Sequence, residues 1–318
     1  MEKEKYYIGA GLNLFDGRAL LVRRDRKIMM EVKNCAGASN VNDTIKTLLE
    51  LIGEIAAKTS KHKEAVAGIG VALGGIVNSP KGVVYWPQKK ADSCVYAAMP
   101  LGGYLEKKFG FPVTICNDAS ACAWAEHTCV FPKSKNLIYL FSGLGAGIVA
   151  DGRLYTGKVG KAGELFITPQ KAMSSTLGDF SFLKPWPADL NMVSRAKQMM
   201  SLGEDSGLLR KITSTGELKT KDIFDELKKK DRVARKVVRE AAFALGVKAA
   251  FLVNLLNPET LVLGGGLEDA PEAFFEDFCA AVKGFSFSET VSDAKIAVSS
   301  LGPRAAALGA ALLAGLAE

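Results

Sequence analysis

The 318-residue sequence has only two histidines, and its six cysteines are scattered without a C-x-x-C pair. Their spacing does not match a zinc motif, so we expect reduced and mostly buried cysteines. No apolar run is long enough to cross a bilayer, because residues 241–256, the longest candidate, are interrupted by glycine, lysine and asparagine. The N-terminus mixes acidic residues with lysines and enters a strand at once, unlike a signal peptide. We therefore expect a cytoplasmic protein without membrane contact.

Lysine and arginine outnumber aspartate and glutamate by 41 to 34, which gives a formal charge of +7. Such a charge attracts nucleotide phosphates and would also attract nucleic acids. The basic residues are dispersed, however, and their densest run, residues 219–240, is interleaved with acidic residues as on solvated helix faces. The sequence has no recognisable DNA-recognition helix, zinc finger or aromatic–basic stripe. We expect no direct binding of nucleic acid.

The chain is longer than one typical domain, and three of its patterns occur twice in the same order. A G-A-G sequence followed by D-G-R spans residues 9–18 and again 145–153. An apolar strand that ends in glycines spans 69–75 and again 261–266. A strand leading into a helix of small residues begins at Val113 and again at Lys295. The sequence therefore predicts a duplicated α/β domain, with ligands bound in the cleft between the two copies.

The stretch from Pro112 to Glu126 contains the strongest candidate for a catalytic residue. Its first part is an apolar, β-branched run, and a helix-forming pattern of small residues starts at Ala119. Asn117 and Asp118 lie at the junction, where open α/β folds bind their ligands. Asp118 could accept a proton from a substrate hydroxyl there. Alternatively it could only cap the helix, since aspartate is a good N-cap.

The glycine-rich hairpins suggest a second part of the site. Glycine lets backbone N–H groups approach phosphate oxygens without interference from side chains. Two such hairpins on opposite sides of a cleft would hold a polyphosphate. The alternative is that each G-x-G sequence only eases a tight turn.

Several of these residues together resemble the ROK family of repressors, uncharacterised open reading frames and sugar kinases. The family has a duplicated actin-like, hexokinase-like ATPase fold. The matching pieces are Asn117-Asp118, Gly143 to Gly147, the G-x-A-G-E sequence of residues 160–164, residues 257–266 and residues 301–313. We accordingly expect an N-terminal α/β domain over residues 1–117 and a C-terminal α/β domain over 118–302. A helix over 303–318 is expected to pack back on the first domain.

The resemblance implies a role for each matching residue. Asp118 would be the general base for a sugar hydroxyl, and Asn117 and Glu164 would hold sugar hydroxyls. The glycine before the sugar loop corresponds to Gly74, and residues 87–93, which include Gln88 and read as an irregular loop, would set the choice of sugar.

The nucleotide is also implied by the resemblance. Its phosphates would lie beside Gly143, Gly145 and Gly147, and its adenosine beside Gly264, Gly265 and Gly266. ATP and Mg²⁺ would be the cofactors, and a homodimer is a further option.

The sequence departs from the family pattern where phosphates and metals are bound. The family has D-x-G-x-T at its first phosphate motif, whereas this chain has Gly11-Leu12-Asn13-Leu14-Phe15, without the metal-associated acid. Glu164 is followed by Leu165 and Phe166 instead of reaching the family's histidine, and residues 173–183 contain no cysteine. We therefore predict no structural zinc and assign no metal ligands.

Two hypotheses of different classes remain. The first is an ATP-dependent kinase that acts on a hexose-like sugar, and the second is a catalytically impaired sensor or partner-binding protein on the same scaffold. A phosphatase or nucleotide hydrolase is a weaker third. The chain starts directly in a strand rather than in a winged helix-turn-helix, so a repressor acting alone is not expected.

Overall fold

The computed structural model of the chain describes residues 4–12, 17–34, 41–59, 65–90, 93–141, 145–165 and 188–317. Its strands and helices, in chain order, are β1 (Tyr6–Leu12), β2 (Gly17–Arg23), β3 (Ile28–Asn34), α1 (Val41–Lys58), β4 (Val66–Leu73), β5 (Ile76–Asn78), β6 (Val83–Lys90), β7 (Ser93–Met99), α2 (Leu101–Phe109), β8 (Val113–Asn117), α3 (Asp118–Cys129), β9 (Leu137–Phe141), β10 (Gly145–Ala150), β11 (Arg153–Tyr155), α4 (Ala188–Ser201), α5 (Leu208–Thr215), α6 (Thr220–Lys228), α7 (Arg232–Leu256), β12 (Thr260–Gly264), α8 (Glu272–Phe285), α9 (Ser288–Val291), β13 (Lys295–Val298) and α10 (Ala305–Leu316).

Two five-stranded sheets share one topology. The first has the order β3-β2-β1-β4-β8, with an antiparallel pairing within β1–β3 and parallel pairing of β1, β4 and β8. The second has the order β11-β10-β9-β12-β13, with the same directions. The predicted duplication is thus confirmed. The carboxyl ends of the parallel strands lie at one edge of each sheet, which is where such folds bind ligands.

The first of the three repeated patterns aligns differently from the prediction. The G-A-G sequence of residues 9–11 lies in β1, whereas that of residues 145–147 lies in β10, whose topological equivalent is β2. Matching these two sequences was therefore wrong. The other two pairings, β4 with β12 and β8 with β13, are confirmed. Short glycine patterns occur wherever strands or helices pack closely, so they do not fix an alignment.

Helices α3 and α10 each leave one sheet and pack on the other. Helix α3 follows β8 of the first sheet, and its Cys122 packs against Tyr139 of the second. Helix α10 follows β13 of the second sheet and packs on the first. The two helices cross at Gly309, where an added Cβ would lie 1.8 Å from the Ala121 carbonyl oxygen. This crossing ties the two sheets together.

Strands β5, β6 and β7, which lie between β4 and β8 in the sequence, form a small antiparallel sheet. Most of residues 87–93, expected to be an irregular loop, belong to its strands. Strand β6 continues to Lys90, and Gln88 pairs with Val95 of β7. The expectation was wrong because it rested on the polar composition of one strand, whereas pairing with the β-prone Ser93–Met99 extends that strand.

Helices α4 to α8 form an apolar core with the second sheet. Its fully buried members include Phe274, Phe278 and Leu261. In the described part of the chain, no helix has both the length and the apolar character needed to span a membrane.

Candidate functional site

The junction between β8 and α3 positions two polar side chains. Asn117 is the N-cap of α3: its Oδ1 accepts a hydrogen bond from the Ser120 N–H at 3.2 Å, and its Nδ2 donates to the Gly75 carbonyl at 3.3 Å. Asp118 is the first residue of the helix, and its Oδ1 accepts from the Ala119 N–H at 2.8 Å. The capping role left open for Asp118 therefore belongs to Asn117.

The environment of Asp118 suits a general base. Only 9% of the residue is exposed. Burial raises the pKa of its carboxyl to about 6, although hydrogen bonds from the N–H groups of Ala119 and of Asp118 itself oppose the rise. Such a group is ionised at neutral pH and still basic enough to accept a proton from a hydroxyl.

Glu164 reaches the same place from the second half of the molecule. It forms an isolated antiparallel bridge with Gly145, and the adjacent Gly163 carbonyl accepts from the Ala146 N–H at 2.7 Å. Although the residue as a whole is exposed, protein surrounds its carboxyl closely enough that desolvation, together with the negative charge of Asp118, raises its pKa to about 7. Gly145, the bridge partner of Glu164, lies against the residue that follows Asp118, because a Cβ added at Gly145 would be 3.7 Å from the Ala119 Cβ. Glu164 is thus held next to the start of α3.

Gly74, at the end of β4, completes this group. A Cβ added at Gly74 would lie 3.2 Å from Oδ2 of Asp118, so a larger residue would crowd the carboxylate. The structure therefore brings together four of the five residues expected to serve the sugar and its base: Asp118, Asn117, Glu164 and Gly74.

The loop before Glu164 contacts the β5–β7 region. A Cβ added at Gly160 would lie 2.5 Å from Oγ of Ser79. The Nζ of Lys161 lies 4.5 Å from the ring centroid of Tyr85, within the range of a cation–π interaction. These contacts, which the sequence did not reveal, hold the Glu164 loop next to the strands that follow Gly74.

The triple-glycine loop follows β12 at the ligand edge of the second sheet. The N–H groups of Gly265 and Gly266 donate to the two carboxylate oxygens of Glu268, at 2.9 and 2.7 Å. The Gly265 N–H also lies 3.0 Å from the hydroxyl of Tyr139. Sequence reasoning missed both partners; an acidic residue two positions after the last glycine was the only available signal.

Two glycines of the phosphate motifs lie beneath helices. A Cβ at Gly11, where the resemblance puts a metal-associated acid, would lie 2.9 Å from the backbone N of Ala307 in α10. A Cβ at Gly147 would lie 2.0 Å from the carbonyl oxygen of Ala119 in α3, whereas one at Gly145 would make only ordinary contacts. Close packing of a helix is thus sufficient to explain glycine at positions 11 and 147. The nucleotide-binding role of Gly145 and Gly147 stays a prediction.

The chain is similar to known proteins over most of its length. The model of the ROK family matches residues 16–316 of the chain. The chain belongs to the ROK family. It is 29% identical to a xylose repressor of Caldicellulosiruptor bescii, over 89% of this chain and 71% of that protein. It is 28% identical to a glucokinase of Halalkalibacterium halodurans, over 78% of this chain and 76% of that protein.

The fold comparison gives the same result. A ROK family glucokinase from Streptomyces griseus, solved in complex with glucose and AMPPNP, matches with a TM-score of 0.79 at 24% identity, over 98% of this chain and 99% of that chain. The expected duplicated actin-like fold is therefore confirmed. Because glucokinases and xylose repressors both occur among the relatives, ROK membership does not by itself decide between catalysis and sensing.

The remaining sequence predictions for the site are not placed beside Asp118. Gly143 and residues 173–183, where the zinc motif of the family would lie, are outside the described residues. Gln88 lies in β6. Among the side chains that the structure describes, no group of three or more histidines, cysteines, aspartates or glutamates is placed to hold a metal ion.

Proposed function

We propose that this ROK protein binds a hexose-like sugar between Asp118 and Glu164 and transfers a phosphoryl group from ATP to one sugar hydroxyl, with Asp118 as general base. The supporting observation is that Asp118 begins α3 at the ligand edge and that Glu164 pairs with Gly145, which lies against Ala119. Burial raises the pKa of Asp118 to about 6, and burial together with the charge of Asp118 raises that of Glu164 to about 7. Perturbed acids in one cleft are typical of acid–base sites. The glucokinases among the relatives support a hexose-like substrate.

In this proposal the sugar hydroxyl donates its hydrogen bond to Asp118. As the hydroxyl oxygen attacks the terminal phosphorus of ATP, its proton passes to Asp118, the bond from phosphorus to the bridging oxygen breaks, and ADP leaves. Glu164, whose pKa is raised to about 7, accepts a hydrogen bond from a sugar hydroxyl. Asn117 accepts a hydrogen bond from the first turn of α3 and donates one to the Gly75 carbonyl. These two bonds keep the adjacent Asp118 in position.

The first phosphate motif does not fit Mg²⁺ in the way that the resemblance implies. The position of the expected acid is Gly11, and its space is filled by Ala306 and Ala307 of α10. Phosphoryl transfer depends chiefly on positioning and charge neutralisation, whereas a general base contributes about 10²–10⁴-fold.

The packing at Gly11 favours a second candidate function. On this alternative the protein closes on a sugar through Asp118 and Glu164 but does not transfer phosphate, and it acts as a sugar sensor. The xylose repressors among its relatives support this alternative. Sugar binding is common to both candidates, and turnover separates them.

The test combines calorimetric sugar binding with release of ADP from Mg-ATP, across hexoses, amino sugars and polyols. We expect one sugar to bind and to stimulate ADP release. Asp118→Asn should retain that sugar but lose turnover by about 10²–10⁴-fold. Glu164→Gln should weaken sugar binding about tenfold, since one hydrogen bond to a charged group is lost. Glu50→Gln, on the exposed face of α1, is the matched control.

Each result has a consequence. Sugar binding without turnover in the wild type would replace the kinase with the sensor. Absence of sugar binding, or equal binding by wild type and Glu164→Gln, would contradict the site itself.

A further inference from the structure

The triple-glycine loop has the geometry of an anion-binding site, and it already holds an anion. Gly265 and Gly266 have φ angles of +70° and +100°, in the region that glycine adopts readily. Their successive N–H groups converge on the Glu268 carboxylate, one on each oxygen. Converging backbone N–H groups of this kind form the concavities in which proteins bind phosphate. The loop is therefore built to bind an oxyanion, and Glu268 supplies it from within the chain.

The loop is also accessible from the candidate site. Gly266 is exposed, and no atom lies within 4 Å of an added Cβ there. On its other side the loop is anchored by the Tyr139 hydroxyl, and Tyr139 packs against Cys122. Cys122 lies about one helical turn after Asp118 in α3. A ligand that extends along α3 from Asp118 consequently approaches the amides that Glu268 occupies.

We propose that the Glu268 carboxylate competes with the phosphates of a nucleotide for the N–H groups of Gly265 and Gly266, and so acts as a specificity residue that weakens nucleoside polyphosphate binding. The inference rests on the proposed nucleotide side of the cleft: with the adenosine beside the triple-glycine loop, the phosphate attached to it would reach the N–H groups of Gly265 and Gly266, and the later phosphates would lie beside the β10 glycines. An incoming phosphate must break two charge-assisted hydrogen bonds and then remain near the displaced carboxylate. A neutral nucleoside has only uncharged acceptors, which form weaker hydrogen bonds and are not repelled by the carboxylate.

A purely structural role for Glu268 predicts the opposite result. If the carboxylate only satisfied the loop amides, its removal would loosen the loop, and the affinity for nucleotide would fall or stay constant. If it competes with phosphate, its removal frees two donors for the ligand, and the affinity rises. The direction of the change therefore separates the two roles.

The experiment is calorimetric titration of ADP and of adenosine into the full chain and three variants. We expect Glu268→Ser to bind ADP at least about tenfold more tightly than the wild type, because two charge-assisted hydrogen bonds become available to phosphate. Glu268→Gln should gain less, since its amide oxygen still accepts from one glycine. Adenosine affinity should change less than about twofold. Glu272→Ser, which removes an exposed acid from the first turn of α8, should match the wild type.

The proposal is overturned if neither Glu268 variant binds ADP more tightly than the wild type, including the case in which none binds detectably. Thermal unfolding verifies that each variant is folded, and Glu268→Gln, with its near-identical shape, decides the matter if the serine variant is not. Sugar binding is measured on the same samples. Intact sugar binding without a gain for ADP rejects only the role of Glu268, whereas loss of sugar binding in the wild type rejects the proposed function.

Discussion

The two five-stranded sheets have the same topology, yet their ligand edges differ. The first sheet ends in Gly74, Asn117 and Asp118, which form a polar group with Glu164 from the second half. The second sheet ends in a loop of backbone donors that the chain itself occupies with Glu268. The duplication therefore repeats the packing of the fold, whereas the chemistry depends on the residues at the carboxyl end of each strand.

In both sheets, a glycine of a phosphate-like motif is required by helix packing. Gly11 lies in the first sheet and Gly147 in the second, and each is pressed against the backbone of the helix that arrives from the other half. Both belong to sequences that resemble phosphate motifs. Glycine is nevertheless needed at these two positions because a helix packs directly against the strand. Substitution of the two glycines in β10 tests whether this packing is what excludes a larger residue.

The largest expected effect is that of Gly147→Ala. The new methyl group would lie 2.0 Å from the Ala119 carbonyl oxygen and 2.5 Å from the Ala123 Cβ, so α3 would have to move. We expect a loss of about 4 kcal/mol in the free energy of unfolding, at the upper end for overpacking because backbone is displaced. Urea unfolding measures it.

The control is Gly145→Ala in the same strand. Its Cβ would find its nearest neighbours at 3.7 Å, so the loss should stay below about 1 kcal/mol. Equal losses for the two variants would show that contact with α3 is not what requires glycine in β10.

A smaller effect is expected for the stability of Asp118→Asn, and it should depend on pH. Since burial raises the pKa of Asp118 to about 6 in the folded protein, folding favours its protonated form. Its contribution to stability is complete below the unfolded value of 3.8 and is lost as the pH rises through about 6. Above pH 6 the neutral asparagine should therefore be more stable than the wild type by about 3 kcal/mol.

The measurement is urea unfolding of both proteins between pH 4 and 8. The difference in unfolding free energy should be close to zero near pH 4 and grow to its full size above pH 6. A difference that does not vary with pH would mean that burial does not disfavour the charged carboxylate. A site that sacrifices stability for an ionised, buried base fits the proposed catalytic or binding role.

Sequence patterns predicted much of the fold because they reflect local physics. Two repeated patterns, a strand that ends in glycines and a strand that leads into a helix of small residues, located the equivalent strands β4 and β12, and β8 and β13. The switch from a β-branched run to small residues located the junction at Asp118. The strand character of residues 87–90 was missed because their composition is polar. They extend β6 because they pair with β7, which a local pattern does not show.

Details of the candidate site were less accessible to sequence reasoning. Asn117 and Asp118 are both good N-caps, so a shift of a single residue decided which one remained available for chemistry. The contact of Glu268 with Gly265 and Gly266 depends on two positive φ angles, which a G-G-G sequence permits but does not specify. The packing beneath α10 joins residues almost 300 positions apart, about the span from Gly11 to Ala307, and no local pattern reports it.

The smallest expected effect concerns the contact that joins the Glu164 loop to the small sheet. Lys161→Met removes the charge above the Tyr85 ring but keeps a long apolar side chain. Cation–π contacts at partly exposed sites contribute about 0.5–1 kcal/mol, so we expect sugar affinity to fall about two- to fivefold in calorimetry. Lys158→Met, which removes an exposed lysine from the same loop, should have no effect.

Two variants of Tyr85 identify the part of the side chain that matters. Tyr85→Phe keeps the aromatic face and should bind sugar like the wild type, whereas Tyr85→Leu should lose as much affinity as Lys161→Met. Combining Lys161→Met with Tyr85→Leu should cost no more than either change alone, because both remove the same contact. Additive losses would mean that the two residues act separately, and the position of Glu164 would then depend on the Gly160–Ser79 contact and on the pairing of Glu164 with Gly145.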